Sequence, residues 1–445
     1  MGGNLCKWTI SYFAAALVWL IAAEVLMVAG FGFPSADSAA PDTLVLVHMV
    51  AIGWLSMAMC GALFQFVPVL VSGSLYAERW TLPALVLLTA GLISLLAGFL
   101  ALGGRIPPWL WLLPLGACLL IGGFALVVAN LGLTLWHARP LPPSARFVAS
   151  GLVAICATII FGGVFSLALF EPGPLISNIL ASSVPIHAIA GLGGWMTLTA
   201  FGVSHRLLSM FMLAPDVDAR KSRVTWLLGS LALGVAVVGG VLAIMIAAGF
   251  DRILSLAAAA CVVTLLSYAR DVISLYRSRK RRVLELNTRM AAWSLVSLNA
   301  AAVLGAALTI SGALSRYVGA LVFLIMFGWL SGLILANLYK IVPFLTWLET
   351  YGPIMGKAPT PRVQDLVAER RAAKWFVMFF GAAWVATAAL VAEQPVAFRV
   401  VVTGMIVATI GVLLELVKAR RLADVAESQR LPAGALAPRL LFSRT

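Results

Sequence analysis

Residues 46–70 read "LVHMVAIGWLSMAMCGALFQFVPVL", an almost wholly apolar stretch that carries a histidine, Gly-Trp, a glutamine and a proline. The run is long enough to cross the hydrocarbon core of a bilayer, which takes about 20 residues of helix. Polar residues and a proline at fixed places in such a helix need an explanation. The rest of the chain supplies one, because the same pattern returns twice.

The second copy of the pattern starts at residue 187 and reads "HAIAGLGGWMTLTAFGVSHRLLSMF". The third starts at residue 323 and reads "FLIMFGWLSGLILANLYKIVPF". Each copy contains Gly-Trp, and the three tryptophans are Trp54, Trp195 and Trp329. Spacings of 141 and 134 residues separate them, which indicates a long internal repeat.

Further positions recur at fixed distances from each tryptophan. A hydroxyl follows it by two residues: Ser56, Thr197 and Ser331. An aromatic ring follows by ten: Phe64, His205 and Tyr339. A polar side chain follows by eleven: Gln65, Arg206 and Lys340. Glycine allows close helix approach, and long basic side chains such as Arg206 and Lys340 can reach a membrane interface, so most of the motif predicts architecture.

The composition indicates a polytopic membrane protein. The 445 residues are 62% hydrophobic and 11% charged, whereas soluble domains are nearer half apolar and a quarter charged. The first apolar run is too long for a cleavable signal peptide. Twelve apolar runs predict membrane helices, at residues 8–32, 43–71, 82–103, 109–136, 146–170, 182–213, 224–249, 253–276, 290–314, 316–346, 374–392 and 396–417.

The net charge of +14 does not indicate nucleic-acid binding, because of where the charges lie. With a cytoplasmic N-terminus, all but four of the 31 Lys and Arg fall in or near cytoplasmic segments. That bias predicts cytoplasmic N- and C-termini in a bacterial-type inner membrane. The basic residues of 277–282 are expected to anchor this topology at an anionic leaflet.

The repeat predicts an all-α fold of twelve transmembrane helices in one membrane domain, 1–445. The tryptophans fall on the second, sixth and tenth helices, so each repeat contains four helices and the three repeats point the same way. The repeats span about residues 8–136, 146–276 and 290–417, and a cytoplasmic tail, 418–445, follows. The predicted arrangement is three pseudo-symmetric parallel lobes.

Ionisable residues inside membrane helices are candidates for function. His48 and His187 start their helices near the outer face, and for each both heme or metal ligation and an interfacial hydrogen bond stay open. His205 replaces a ring that is Phe or Tyr in the other repeats, so a structural role competes with metal binding. It lies about 27 Å along the helix from His187, which prevents a shared metal. Glu24 is either a proton-path carboxyl or a structural hydrogen-bonding group.

The three motifs and the helix count resemble subunit I of the heme-copper oxidases, including its cbb3-like and nitric-oxide-reductase-like branches. They are also similar to the heme- and copper-containing membrane proteins of the nitric oxide response. The resemblance covers about residues 8–420. It implies b-type heme and copper as cofactors, with His48 on a low-spin heme and His187 on copper.

The chain departs from that family where the oxygen chemistry takes place. The family takes two heme-ligating histidines from helix ten, but residues 316–346 contain none. It takes further copper ligands from helix seven, and residues 224–249 contain no histidine either. A complete oxygen-reducing centre is therefore not expected in this chain.

Three functions follow as alternatives. The first is a heme- or copper-binding protein with a redox, nitric oxide or respiratory-assembly role, in the bilayer beside a respiratory complex or small electron donor. The second is a cofactor-free transporter or channel in which Glu24 lines the path. The third is an accessory subunit on the same scaffold.

Overall fold

The computed structural model describes residues 6–173, 183–246 and 250–443, and in these ranges the regular structure is helical, without β-strands. Twelve helices in them are long and apolar enough to cross a membrane, which confirms the predicted number of membrane helices. They are α1 Thr9–Val28, α2 Pro41–Leu70, α3 Glu78–Leu102, α4 Leu112–His137, α5 Pro143–Phe170, α6 Ser183–Met212, α7 Ala219–Met245, α8 Ser255–Arg277, α9 Leu286–Ile310, α10 Leu314–Ile354, α11 Glu369–Val391 and α12 Pro395–Arg420.

Local signals explain several helix starts. Proline stands in the first turn of α2, α5 and α12, where its missing N–H is not needed. Asp218 caps α7, because its carboxylate accepts hydrogen bonds from the backbone N–H of Arg220 and Lys221. The predicted run 182–213 includes residue 182, and the predicted run 224–249 includes residues 247–249. These residues lie outside the described ranges.

The chain divides into two compact units. The first contains the residues up to Gln65 and those from Leu284 onward, and the second contains Phe66–Val283. In the first unit, α1 packs against α2 and α12, α9 against α10, and α11 against α12. In the second unit, α3 packs against α4, α5 against α4 and α6, and α7 against α8. Pairs of sequential helices are thus the recurring building element of both units.

Small residues bring helix backbones close in the second unit. A Cβ added at Gly91 of α3 would lie 2.8 Å from the Leu120 nitrogen of α4, and one at Gly116 would lie 2.6 Å from the Leu95 nitrogen. Asn130 of α4 accepts a hydrogen bond from the Ala77 N–H and donates one to the Ala77 carbonyl. This buried amide is therefore a structural tie between α4 and the segment that leads into α3.

The first unit also has an apolar cluster formed by the last residues of α10 and by segments that follow α10 and α12. Its buried members are Tyr351, Ile354, Leu366, Leu422 and Val425. Ion pairs surround it: Arg371 contacts both Glu415 and Asp424, and Arg420 contacts Glu349. The segment after α10 and the segment after α12 therefore fold together instead of forming separate loops.

Candidate functional site

All three Gly-Trp motifs lie in π-helical stretches, where hydrogen bonds run to the fifth residue along. The stretches are Met49–Ser56 in α2, Ile189–Leu198 in α6 and Leu324–Ser331 in α10. The first and third are offset by 275 residues at both ends, as are Trp54 and Trp329. Extended π-helix is rare and is frequently found at functional sites. The sequence repeat thus corresponds to a repeated backbone distortion.

The three tryptophans are completely buried, with 0% exposure each. In the first unit, the Trp54 indole donates to the Ser331 hydroxyl at 2.7 Å. That hydroxyl donates in turn to the Met326 carbonyl, five residues earlier, at 2.6 Å. The motif hydroxyl therefore donates to a backbone carbonyl of the π-helical stretch and also joins α10 to α2.

A position that sequence reasoning missed lies seven residues after each tryptophan. It is Gly61 in the first repeat, Gly202 in the second and Ala336 in the third. A Cβ at Gly61 would lie 2.6 Å from the Tyr12 Cβ of α1, and one at Gly202 would lie 2.6 Å from the Phe147 Cβ of α5. The equal spacing of small residues was the signal that could have revealed these helix crossings.

The ring position ten residues after tryptophan makes an edge contact in every repeat. Phe64 meets Tyr12 of α1 with centroids 5.5 Å apart, and His205 meets Phe147 of α5 at the same distance. The third ring, that of Tyr339, instead meets Phe376 of α11 at 5.6 Å. His205 thus occupies the place of an aromatic ring, as the sequence comparison suggested.

The polar position eleven residues after tryptophan ties the end of the motif helix to a neighbouring segment. The Gln65 side chain accepts from the Cys6 N–H just before α1, and Lys340 pairs at 2.6 Å with Glu285 just before α9. Arg206 makes a two-point ion pair with Asp216 after α6. These side chains are held in specific contacts.

Asp216 lies in the connection between α6 and α7 and is charged under ordinary conditions. Burial alone would raise the pKa of its carboxyl, but hydrogen bonds from the Ser209 hydroxyl and Arg206, with the attraction of that guanidinium, outweigh burial and lower it. The ion pair is largely solvent-exposed, so it positions the connection without contributing much stability.

Three of the four histidines donate from Nδ1 to a backbone carbonyl. His48 bonds the Leu44 carbonyl at 2.8 Å, His137 bonds Leu133 at 2.8 Å, and His187 bonds Thr158 of α5 at 3.1 Å. Because a carbonyl only accepts, each Nδ1 carries the hydrogen. The neutral ring then has its lone pair on Nε2, the form that ligates iron or copper.

The residues fit a single-histidine heme better than they fit the family's full set of cofactors. His48 is half-buried and has the ligating tautomer. The residue 275 positions later, the counterpart in α10, is Phe323, which supplies no ligand. A heme held between histidines of α2 and α10 therefore does not fit this chain, while one held by His48 alone agrees with the donor chemistry.

A multi-ligand copper site does not fit. Within the part of the chain that the structure describes, no three His, Cys, Asp or Glu side chains converge as a metal site. His187 makes an edge contact with Phe165, and His205 is enclosed by Phe147 and Tyr268. Among the described residues, neither imidazole therefore has the two further ligating side chains that a copper site of three protein ligands needs.

Glu24 is fully buried in α1, inside the first unit. Thr409 of α12 donates to its Oε1 at 2.8 Å, while Oε2 has no hydrogen-bond partner in the described structure. An unpaired carboxylate is very unfavourable in such a place, so a proton on Oε2 is the physically reasonable state. Glu24 is therefore a buried carboxylic acid that could give up or receive a proton.

Searches of family models and of curated proteins found no match to this chain.

Proposed function

We propose that the chain is a heme-binding inner-membrane protein with a redox or nitric-oxide-related role, on a scaffold like subunit I of the heme-copper oxidases. In this proposal the three four-helix repeats form parallel lobes and both termini are cytoplasmic. The repeated π-helices and the pairing of sequential helices support the repeat. The positive-inside bias of the sequence supports the orientation.

The Nδ1–H hydrogen bond of His48 to the Leu44 carbonyl carries the heme assignment. It fixes the ring on its own helix and makes Nε2 the nitrogen that could coordinate iron, which is how proteins orient ligating histidines. A bound heme would supply one-electron chemistry or binding of a small gas. The chain's own contribution is to supply the axial nitrogen and to hold the ring in place.

Oxygen reduction to water is not part of this proposal. Phe323 occupies the α10 position equivalent to His48, and among the described residues no three His, Cys, Asp or Glu side chains converge to hold copper at His187. A heme held by one histidine would suit one-electron chemistry or reversible binding of nitric oxide better than four-electron chemistry. The partner would be a small electron donor or a respiratory complex.

The test is a pyridine hemochromogen spectrum with iron analysis on detergent-purified protein expressed with heme available. We expect near-stoichiometric heme b in the wild type and its loss in His48→Ala. His137→Ala is the matched control, because His137 makes the same Nδ1 bond one turn back on α4 but lies exposed at the helix end. Folded wild-type protein without heme, or a His48→Ala variant with unchanged heme, would refute the proposal.

The Glu24 carboxyl favours a second candidate, a cofactor-free protein that moves protons or small cations. A buried acid with one oxygen unpartnered is the type of group that proton-coupled transporters use. Purified protein in vesicles would then show ion-driven proton movement that Glu24→Gln abolishes. Glu393→Gln is the control, since Glu393 is an exposed carboxylate paired with Arg316. Full heme occupancy with no vesicle transport would exclude this candidate.

A further inference from the structure

A group of polar side chains joins three helices inside the second unit. His205 and Ser204 come from α6, Thr225 from α7, and Tyr268 and Asp271 from α8. All five are buried, and the side chains of His205 and Asp271 are 2% and 0% exposed. Burying this many polar groups within apolar helices is energetically costly unless each group has a hydrogen-bond partner. Polar groups buried in a membrane protein despite that cost are candidates for function.

Most of this group is well satisfied. The Ser204 and Tyr268 hydroxyls share a hydrogen bond of 2.5 Å, and Thr225 donates to Oδ2 of Asp271 at 2.8 Å. Arg270 contacts Oδ1 of Asp271 through two nitrogens, at 2.8 and 3.1 Å. The half-exposed Arg270 side chain thus links a buried carboxylate to the surface of the unit.

His205 is the exception. Neither of its ring nitrogens has a hydrogen-bond partner in the described structure. Its Nε2 lies 3.9 Å from Oδ2 of Asp271, about 1 Å beyond a hydrogen bond. A buried donor or acceptor without a hydrogen-bond partner destabilises the fold, so phenylalanine would suit this position better if the ring were merely structural.

We propose that His205 and Asp271 form a proton-binding site, in which His205 takes up one proton on Nε2 and closes onto Oδ2 of Asp271. The bond formed is N–H on Nε2, and the proton comes from the aqueous phase. The protonated ring then makes a charge-assisted hydrogen bond, which draws α6 toward α8.

The neighbouring groups define the electrostatics of this site. From α5, the apolar ring of Phe147 faces His205, and from α7 it is the neutral Thr225 that borders the carboxylate. From α8 come Asp271, with Arg270 on its far oxygen, and the Tyr268 hydroxyl, which is engaged by Ser204. On α6 itself, Arg206 is occupied with Asp216. The carboxylate of Asp271 is therefore the charge nearest to the ring among these contacts.

The site lies about 10 Å from the Met212 end of α6, seven residues away at the helical rise. It belongs to the second unit, whereas His48 and Glu24 belong to the first, and it stands whether or not the chain binds heme. A proton taken up here would be available to any reaction or transport step that consumes protons. The ligand of this site is the proton itself, so the site does not need the cluster of ligating side chains by which a metal site is recognised.

The test is solid-state nuclear magnetic resonance of ¹⁵N-histidine-labelled protein, which is tractable because the chain has four histidines. The pH is lowered from about 8 to about 4, a range that brackets ordinary histidine titration. His205→Phe identifies the His205 signals by their loss and keeps a ring like that of Phe64. We expect these signals to change from neutral to imidazolium within the range.

Asp271→Asn should lower the proton affinity of His205 at least tenfold, because it removes a charge about 4 Å away that favours the imidazolium. Tyr268→Phe is the control, and there the titration should stay where it is in the wild type. A His205 that stays neutral throughout, or that titrates equally in Asp271→Asn, would overturn the proposal. So would a shift in Tyr268→Phe as large as that in Asp271→Asn.

A measurement on the wild type keeps the proposal testable if Asp271→Asn does not fold. With ¹⁵N in histidine and ¹³C in the aspartate side-chain carboxyl, the dipolar coupling reports the distance between His205 and Asp271. We expect the coupling to strengthen on acidification as the pair closes. A coupling that is unchanged while His205 becomes protonated would contradict the closing step and with it the site.

Discussion

At the ring position ten residues after tryptophan, the first repeat has Phe64 and the second has His205. Both rings meet an aromatic partner edge-on at 5.5 Å, and both partners lie on the helix that opens the repeat. The contact geometry is therefore the same although one ring is apolar and the other titratable. The repeat fixes the place of a ring and leaves its chemistry free to change.

The same contrast holds one residue later. Gln65 accepts a hydrogen bond from the backbone before α1, whereas Arg206 turns to the carboxylate of Asp216 after α6. The first repeat uses neutral hydrogen bonds at this end of the helix, and the second uses charges. The second repeat has therefore kept the shared packing and acquired titratable groups around it.

The shared packing should be the most sensitive part of the comparison. Gly61→Ala and Gly202→Ala each place a Cβ 2.6 Å from a rigid Cβ on the opposite helix, and we expect a loss of about 1–3 kcal/mol or failure to fold. Gly381→Ala and Gly132→Ala are the matched controls in each unit, because nothing lies within 4 Å of their added Cβ.

The controls should be neutral or gain up to about 1 kcal/mol from better helix propensity. The measurement is thermal unfolding of all four variants in one detergent. Equal stability of test and control variants would show that these helix crossings do not matter to the fold.

The next prediction concerns the hydrogen bond between Trp54 and Ser331. This bond joins the π-helical stretch of the first repeat to that of the third. Ser331→Ala leaves a buried indole N–H without its acceptor and should cost about 1–3 kcal/mol. Trp54→Phe removes the donor but also leaves a cavity. The double variant should lose about 1 kcal/mol less stability than the sum of the losses in the two single variants.

Strict additivity in that cycle, measured by denaturant or heat, would mean that the bond contributes nothing to stability. The motif would then keep its tryptophans for packing alone.

The sequence allowed much of the architecture to be predicted. The twelve helices follow from apolar run length, because a bilayer imposes that length directly. The motif positions at Trp54, Trp195 and Trp329 follow from equal spacing, and all three prove fully buried. The π-helical geometry could not be predicted, since its hydrogen bonds differ from those of α-helix by one residue and leave no composition signal.

The candidate sites were only partly predictable. Glu24 and His205 are conspicuous in the sequence because ionisable residues are rare inside membranes. Their partners, Thr409 and Asp271, are distant in the chain, and a single sequence gives no information on such pairings. Asp271 in particular lies near the end of α8 beside Arg270, where it reads as an ordinary surface charge.

Exchanging the two rings tests whether they are equivalent. At pH 8 the His205 ring should be uncharged. His205→Phe should then leave the stability unchanged or raise it by up to about 1 kcal/mol, because it removes two unsatisfied buried nitrogens. Phe64→His should destabilise by about 1–3 kcal/mol for the opposite reason. Thermal unfolding at that pH measures both. A large loss in His205→Phe at pH 8 would show that the neutral imidazole has a structural role that the described contacts do not provide.

The smallest effect is expected at the charged end of the second repeat. Because the folded state lowers the pKa of Asp216 from its ordinary value of 3.8, the ion pair stabilises the fold above that pH and the contribution disappears as the pH falls below it. The pair is exposed, so the difference between the wild type and Asp216→Asn should be less than about 1 kcal/mol at neutral pH. Unfolding of both proteins at pH 7 and at the lowest pH that keeps them soluble measures it. Gln65→Ala is the counterpart in the first repeat, and its effect should not vary with pH, since an amide does not titrate. If the Asp216→Asn difference instead grew on acidification, the carboxylate would be destabilised by folding, and the charged contact would have to be explained by something other than stability.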